Sequence, residues 1–407
     1  MPLLRIPYTD PLPPPKIIPP SATAFAGAVS ALTNFLLAPP PPGLKHSQPA
    51  YHSHHHASPL QSRNPSAKQH GNTLLLTGAG ISVPSGLADY RGTNGTYTLN
   101  KTYKPIYFHE FCQNHEARKR YWARSFLGWP SLERARANRA HEAVGRLGEL
   151  GLVKRVITQN VDSFHPLTHP HLPTTELHGA LRTLICLTCS TTYPRSTFQS
   201  DLARLNPSWS AFLTQLLESG ALETEDPHER RRMGLKTNPD GDVDVPGVEY
   251  GTFRYPGCPV CSGGMKDHTH AVAGTSGKGK EVRVDGDGAW LPPSHSSTAH
   301  RGVLKPGVVM FGESIPTSTK HEAERAVDAA DSILVIGSSL ATYSAWRLVK
   351  RAKEKGSRLA ILNIGGVRGE DVFFADAEMT GDIRVSWNVE EILPEIVKEV
   401  ERGLVRR

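Results

Sequence analysis

Thr73-Leu74-Leu75-Leu76-Thr77-Gly78-Ala79-Gly80-Ile81-Ser82 is a short apolar run that passes directly into a glycine loop. A run of this length bounded by a turn signal reads as a buried strand. Backbone N–H groups of a glycine loop after such a strand can face a phosphate at close range, because no side chain stands in the way. The third glycine of the dinucleotide fingerprint is missing, since Gly86 comes six residues after Gly80, so a plain strand-to-helix turn stays open as the alternative. Asp89-Tyr90-Arg91 follows, bringing a carboxylate, a ring and a guanidinium close behind the loop.

The same grammar recurs outward from this stretch. Asn138 to Leu150 reads as a helix with Ala140, Val144 and Leu147 on one face and Gly151 ending it. Val153 to Thr158 is then a strand leading into Gln159-Asn160-Val161-Asp162. A helix near Lys320 to Ala330 precedes the strand Ser332 to Ile336, which ends in Gly337-Ser338-Ser339. A helix over 344–355 precedes the strand Arg358 to Leu362, which ends at Asn363-Ile364-Gly365. Alternating strands and helices imply a parallel α/β sheet whose polar and glycine loops gather at the carboxyl ends of its strands, where ligands bind. A helix over 22–37, capped by Ser21 and stopped by the prolines from Pro39, shows Phe25, Val29, Leu32 and Leu36 at helical spacing. The last helix, near 389–403, opens at Asn388 with Glu391 three residues later, like a capping box.

The pattern itself gives a parallel α/β sheet with a candidate small domain and disordered inserts. The divisions are a tail over 1–21, sheet portions over 22–98, 138–180 and 303–407, a helical module over 99–137 and a zinc module over 181–302. The inserts are 37–72 and parts of 190–256 and 266–301, read as surface decoration. Thirteen of the 33 prolines fall within residues 1–50, ahead of His52, His54, His55 and His56, a composition from which no core is built.

Charge excludes a strong nucleic-acid footprint: residues 1–70 hold one acid against five bases and so carry +4 of the net +7, leaving a mildly basic body. No apolar run reaches the roughly 18 residues of a membrane span, and no secretory signal is visible, so a soluble, intracellular protein is expected. An acid-poor start is compatible with a mitochondrial leader, although its prolines and sparse arginines are atypical of one. A monomer is favoured, while no residue pattern fixes the oligomeric state.

Four of the five cysteines form two pairs, Cys186-Leu-Thr-Cys189 and Cys258-Pro-Val-Cys261, separated by 68 residues. Two such knuckles complete a closed tetrahedral thiolate set for one structural Zn2+, with a redox CxxC as the alternative. Cys112 is left over as a buried or idle thiol. Gln159, Asn160, Val161 and Asp162 offer amides and a carboxylate to ribose hydroxyls or a carboxamide, unless Asp162 is only a helix cap. His178 has the titration range of a general base, though a lone histidine says little without its neighbours.

Together these segments resemble the sirtuin (Sir2) family: Thr77 to Ser82, Gly86 to Arg91, Thr158 to Asp162, Leu177-His178-Gly179, the cysteine pairs, Leu304 to Glu313, Gly337 to Leu340 and Leu362 to Gly365 stand in the family's order. The resemblance spans residues 22–36 and 73–400 apart from the inserts, and Arg120-Tyr121-Trp122-Ala123-Arg124 with Gly128-Trp129-Pro130 resembles its mitochondrial class II, sirtuin-four-like branch. It implies a Rossmann-like parallel sheet with helices on both faces plus a smaller zinc-ribbon and helical domain. It also implies NAD and an acyl-lysine peptide meeting in a cleft between the two domains, with His178, Asn160 and Asp162 as the catalytic set. Gly78, Ala79, Gly80 and Ser82 are implied to hold phosphate, Ile81, Asn160 and Asp162 to line the nicotinamide pocket, and Asp89, Tyr90 and Arg91 to form a flap over NAD. Gln159 and Val161 belong to the same cofactor motif. Gly337, Ser338, Ser339, Asn363, Ile364 and Gly365 are implied for the adenosine side and Val389 for adenine. Val308 and Phe311 are implied to line the acyl-lysine tunnel, with the segment through Gly312 and Glu313 open to strand addition by the peptide.

The implied activity is NAD-dependent protein-lysine deacylation, in which His178 withdraws a proton from a ribose hydroxyl and the acyl group leaves on ADP-ribose. Protein ADP-ribosylation at the same site and a non-catalytic NAD and zinc scaffold are the alternatives. Leu87-Ala88, Tyr90 and Ala180 depart mildly from the family pattern. Tyr97-Thr98-Leu99 stands where the desuccinylase branch carries its arginine clamp, so poor activity on succinyl- or malonyl-lysine is expected. The class II resemblance points to the mitochondrial matrix, with cytoplasm or nucleus as the alternative.

Overall fold

The strands at the centre of the molecule are near-continuous aliphatic runs because both of their faces are covered. In the computed structural model, which describes residues 12–41, 71–92, 95–99, 105–220, 222, 232, 236–237, 243–245, 248–261 and 302–405, five elements come first. They are α1 (Phe25–Leu37), β1 (Thr73–Thr77), α2 (Thr96–Leu99), α3 (Phe108–Gln113) and α4 (His115–Arg134). Next stand α5 (Arg139–Glu149), β2 (Val153–Thr158), α6 (Phe164–Thr168), β3 (Thr174–Glu176), β4 (Gly179–Cys186) and β5 (Thr192–Pro194). They are followed by α7 (Arg195–Leu205), α8 (Pro207–Glu218), β6 (Lys236–Thr237), β7 (Val243–Asp244) and β8 (Leu304–Val308). The chain closes with α9 (Thr317–Asp328), β9 (Ser332–Ile336), α10 (Tyr343–Glu354), β10 (Arg358–Leu362), α11 (Glu370–Phe373), α12 (Ala377–Thr380), β11 (Ile383–Val385) and α13 (Val389–Val405).

Six strands pair in parallel in the order β11-β10-β9-β1-β2-β3. The period-two alternation of strands sorts their side chains between two cores. Leu75, Val156, Leu334 and Leu362 pack with α1, α5 and α13 through Leu32, Leu36, Val144, Leu147, Ile392 and Ile396. Leu74, Leu76, Ile333, Val335 and Ile361 pack on the other face with α9 and α10 through Ala323, Val327, Leu348 and Val349. Burying one such leucine contributes about 1.5–3 kcal/mol, which is why consecutive apolar residues are tolerated in β1.

A third core holds the smaller domain. Trp122 and Phe126 of α4, Phe198 of α7, Leu184 of β4 and Phe253 surround Cys186 and Cys258. Two expectations change here. Residues 195–218, read as insert, form α7 and α8, and Phe198, Leu202, Trp209 and Leu213 bury themselves in this core. β8, assigned to the last portion of the Rossmann sheet, instead pairs antiparallel with β4 in the sheet β5-β4-β8. Ser21 does not cap α1: it lies in a 3-10 turn, Pro20–Thr23, and Ala24 precedes the helix. α1 ends at Leu37 with Ala38 extended, as the residue before a proline prefers. Most of the 37–72 insert and all of 266–301 lie outside the described residues. Among the described residues no helix is long and apolar enough to cross a membrane.

Candidate active site and metal centre

Register decides what meets at the carboxyl edge of the parallel sheet. Thr77 stands opposite Thr158 and Ile336, Ile336 opposite Leu362, and Thr158 opposite Glu176. The residues that follow these partners therefore emerge in one row: the loop of His178, Gln159, Gly78, Gly337 and Asn363. Five segments scattered from 78 to 363 in the chain are brought together by strand pairing alone.

The two glycine turns touch backbone to backbone. Gly80 N–H donates to the Gly337 carbonyl at 2.9 Å and Gly78 N–H to Ile336 O at 3.0 Å. A Cβ on Gly78 would lie 2.8 Å from Gly337 O, and one on Gly337, whose φ is +60°, would lie 2.5 Å from Ile81 N. Glycine at these positions is thus required by close approach. Residues Ala79–Ile81 and Val83–Ser85 are 3-10 turns, so the strand runs into two tight turns and not into a full helix.

Buried polar groups line this edge. Asn160 Nδ2 donates to Ser82 Oγ at 3.0 Å and Gly78 O at 3.2 Å, and Ser82 Oγ–H donates to Asp162 Oδ2 at 2.8 Å. Asp162 Oδ1 accepts from Phe164 N, the first residue of α6, at 2.9 Å, but the N-cap position is held by Ser163, so Asp162 is not the helix cap. Burial raises the Asp162 carboxyl pKa, partly offset by those donors. Gln159 Nε2 donates to Ser338 Oγ at 2.8 Å, while its Oε1 accepts from Thr342 Oγ1 at 2.9 Å. Ser339 O accepts from Arg368 N. Behind β1, Thr77 Oγ1 meets His165 Nε2 at 2.9 Å and His165 Nδ1 meets His169 Nε2 at 3.0 Å. This buried pair fixes the strand end from below.

The His178 ring lies between two polar atoms. Nδ1 is 3.1 Å from the Gln159 carbonyl and Nε2 is 2.9 Å from Ser344 Oγ. A carbonyl only accepts, so the ring proton sits on Nδ1 and the lone pair on Nε2. Burial lowers its pKa, against the Gln159 carbonyl, which raises it. A neutral imidazole with its basic nitrogen aimed into the site is what a general base requires.

The residues expected for the flap and the tunnel share one aromatic wall. Tyr90 stacks on Tyr97 at 5.7 Å and meets Phe311 edge-on at 6.4 Å, and Tyr107 meets Phe311 edge-on at 6.4 Å. The Arg91 guanidinium lies 5.2 Å from the Tyr97 ring. Asp89 Oδ2 accepts Gly92 N at 2.9 Å, and burial raises its carboxyl pKa. Val308 stands opposite Gly179 across the β4–β8 ladder and Val309 N donates to His178 O at 2.8 Å, so the segment expected to line the tunnel is tied to the backbone of the expected base. Gly312 has φ +82°. Glu313 Oε2 accepts Met310 N at 2.9 Å and pairs with the buried Lys305 at 3.2 Å. Val161 joins Trp129, Leu132, Leu181, Leu87 and Val308 in a separate apolar cluster.

On the far side, Asn363 Nδ2 donates to Gly365 O at 2.8 Å, Ile364 is exposed, and Val389 is buried in the core beneath α1 and α13. Arg384, which sequence reasoning passed over, holds this loop. Its guanidinium is fully buried and donates to Glu370 Oε1 at 2.8 Å, Asn363 O at 2.8 Å, Gly365 O at 2.6 Å and Val385 O at 2.7 Å. The one available signal was an arginine inside the apolar-flanked triplet Ile383-Arg384-Val385.

The four pair cysteines form one cluster, their sulfurs all within 4.8 Å of one another. Cys186 Sγ is 3.7 Å from Cys261 Sγ, and Cys189 Sγ is 3.7 Å from Cys258 Sγ. A tetrahedron with Zn–S bonds of about 2.3 Å has edges of about 3.8 Å, so the set fits one zinc and closes its coordination. Hydrogen bonding with Cys186 and then burial push the Cys258 thiol up, burial and then the neighbouring thiols push Cys261 up, and the same contact with Cys258 holds Cys186 down to about 4. Cys112 is half-buried outside this cluster.

The model of the Sir2 family matches residues 78–344. A relative named NAD-dependent protein deacylase SIR4, from Batrachochytrium dendrobatidis, is 36% identical over 82% of this chain and 91% of its own. NAD-dependent protein deacylase SRT2 from Arabidopsis thaliana is 35% identical over 75% of this chain and 69% of its own. A solved Sir2 homologue mutant in complex with ADP-ribose shares the fold, with a TM-score of 0.51 at 21% identity over 83% of this chain and 95% of that one. Motif order, matched span and relatives agree, and the chain belongs to the Sir2 family.

Proposed function

We propose that this chain is an NAD-dependent protein-lysine deacylase. Its named relatives support the reaction class, and the carrying observation is the His178 ring, held with its lone pair on Nε2 at the edge where the glycine turns, Asn160, Asp162 and the aromatic wall converge. NAD, when bound, supplies the ADP-ribose that takes the acyl group as nicotinamide leaves. Gly78 to Ser82 would hold its phosphates, Asn160 and Asp162 its nicotinamide end, and Gly337 to Ser339 with Asn363 to Gly365 its adenosine end. Asp89, Tyr90 and Arg91 close over the site and keep water out, which matters wherever a reactive sugar centre can be hydrolysed. His178 Nε2 takes the proton from a ribose hydroxyl, and Val308 with Phe311 orients the acylated lysine.

The finer assignment is to the class II branch. It rests on Arg120 to Arg124 and Gly128 to Pro130, which lie in α4. The same resemblance, with the acid-poor N-terminal segment, supports a mitochondrial matrix location, tested by fractionating cells that express a C-terminally tagged chain. For the activity, purified protein is incubated with NAD and acetyl-, lipoyl-, long-chain- and succinyl-lysine peptides and followed by mass spectrometry. O-acyl-ADP-ribose formation, abolished in His178→Ala and weak on succinyl-lysine, is the expected result. ADP-ribose on protein without deacylated peptide, or no NAD turnover at all, overturns the reading.

A further inference from the structure

The loop from Gly337 to Ser344 does more than meet the glycine turn. Thr342 is the N-cap of α10 and Ser344 lies in its first turn, with the exposed Tyr343 between them. Thr342 Oγ1 donates to the Gln159 side chain at 2.9 Å, and Ser344 Oγ lies 2.9 Å from His178 Nε2. Because Nδ1 carries the ring proton, the serine hydroxyl is the donor in that contact. Nε2 has a single lone pair. The same lone pair must accept a ribose hydroxyl if His178 is the base, and it cannot serve both donors.

We propose that Ser344 is a positioning residue: in the free enzyme its hydroxyl fills His178 Nε2, aims the ring, and is displaced when the ribose hydroxyl of NAD arrives. This rests on the reading of His178 as the base. A neutral acceptor held by a donor resists protonation, and the start of α10 adds a positive partial charge on the same side. Charged groups on the neighbouring elements are turned elsewhere. Asp162 bonds Ser82 and Phe164 N, Glu176 bonds Ser163 Oγ, Arg182 donates to Asp162 O, and Lys305 pairs with Glu313. Ser344 and the Gln159 carbonyl are therefore the ring's direct polar partners in the described structure.

The discriminating experiment is a pair of pH profiles for Ser344→Ala and Ser344→Thr. The acid limb of kcat/KM reports the free enzyme and that of kcat reports the complex. In Ser344→Ala the kcat/KM limb is expected to move up by about 0.7 of a pH unit, the size of one neutral hydrogen bond, while the kcat limb stays in place. Ser344→Thr keeps the hydroxyl and leaves both limbs where they are. Histidine 15N NMR of the free protein, with His178 assigned by its loss in His178→Gln, titrates the ring without any turnover and should show the same upward shift. Equal movement of both limbs means that Ser344 stays on the base throughout, and no movement means that it does not fill Nε2; either overturns the proposal. Should the wild-type protein turn over no NAD, the deacylase reading fails while the NMR titration still decides the role of Ser344.

Discussion

Replacing Gly337 by alanine tests whether the two glycine turns meet as described. Gly337 has φ +60°, a left-handed conformation that costs an L-residue about 1–2 kcal/mol. The added Cβ would stand 2.5 Å from Ile81 N, 2.7 Å from Gly80 C and 2.9 Å from Gly80 Cα, all backbone atoms that no rotamer change can move. The turns must separate, at an overpacking cost of about 1–3 kcal/mol. That separation also stretches the Gly80 N–H to Gly337 O bond, now 2.9 Å and worth about 1 kcal/mol. The expected loss is about 3–6 kcal/mol. Gly356 supplies the control, because it has φ +87° but nothing within 4 Å of its Cβ position, so its alanine variant suffers only the left-handed term.

At roughly 2–4 °C per kcal/mol for a domain of this size, Gly337→Ala should melt about 6–24 °C below wild type and Gly356→Ala about 2–8 °C below. Thermal unfolding by circular dichroism measures both, and isothermal titration with NAD should show at least a tenfold weakening for Gly337→Ala alone. If the two variants melt within about 1 °C of each other, the close approach of the turns is refuted, and with it the placement of Gly78 and Gly80 beside Gly337.

Arg384→Leu strands the buried Glu370 carboxylate and the carbonyls of Asn363 and Gly365, so stability should fall by about 3–5 kcal/mol in chemical denaturation. Adding Glu370→Leu should recover part of that loss, since the uncompensated charge is then gone. Cys258→Ser removes one of four zinc ligands; zinc by elemental analysis should drop from one equivalent to a small fraction, and the near-UV signal of the Trp122, Phe198 and Phe253 core should weaken with it. Asp162→Asn should lose activity yet gain stability. A folded carboxyl pKa raised by burial favours the protonated form, so the wild-type stability is fully present below the unfolded pKa near 3.8 and falls as pH rises through the folded pKa. The advantage of Asp162→Asn should therefore grow from acid toward neutral pH in denaturant titrations, and an advantage that shrank over that range would contradict the assignment.

How much of this was legible in the sequence follows from how far each cause reaches along the chain. β1, β9 and β10 could be read to the residue because burial on both faces demands nearly unbroken apolar runs, a purely local demand, and β2 was read from its apolar half, Val156 to Thr158, although Lys154 is exposed in it. β3 and β11, three residues each, carry no such run and owe their strand character to a neighbour already in place. α7 and α8 escaped because their apolar residues sit amid proline, serine and threonine, whereas Trp209 and Phe198 find partners 40 and more residues away at Tyr250, Phe253 and Trp122. Ser21 has the chemistry of a cap, but flanking prolines hold Pro20–Thr23 in a 3-10 turn and the helix starts later.

The site divides along the same line. That His178 is a candidate base and the paired cysteines a candidate ligand set was visible from short motifs, because such a role needs particular side chains at short spacing. Which nitrogen of His178 holds the proton depends on the Gln159 carbonyl 19 residues back and on Ser344 166 residues ahead, and neither distance leaves a trace in local pattern. Arg384 shows the limit most clearly. A charged residue inside a short strand reads as solvent-facing by alternation, yet the segment around Ile18 pairs across it and Glu370 meets it from below, so a residue that looks like surface holds the Asn363 to Gly365 loop in place. Residue type announces the reaction; strand register and buried ion pairs, set by the whole chain, decide whether those residues stand close enough to perform it.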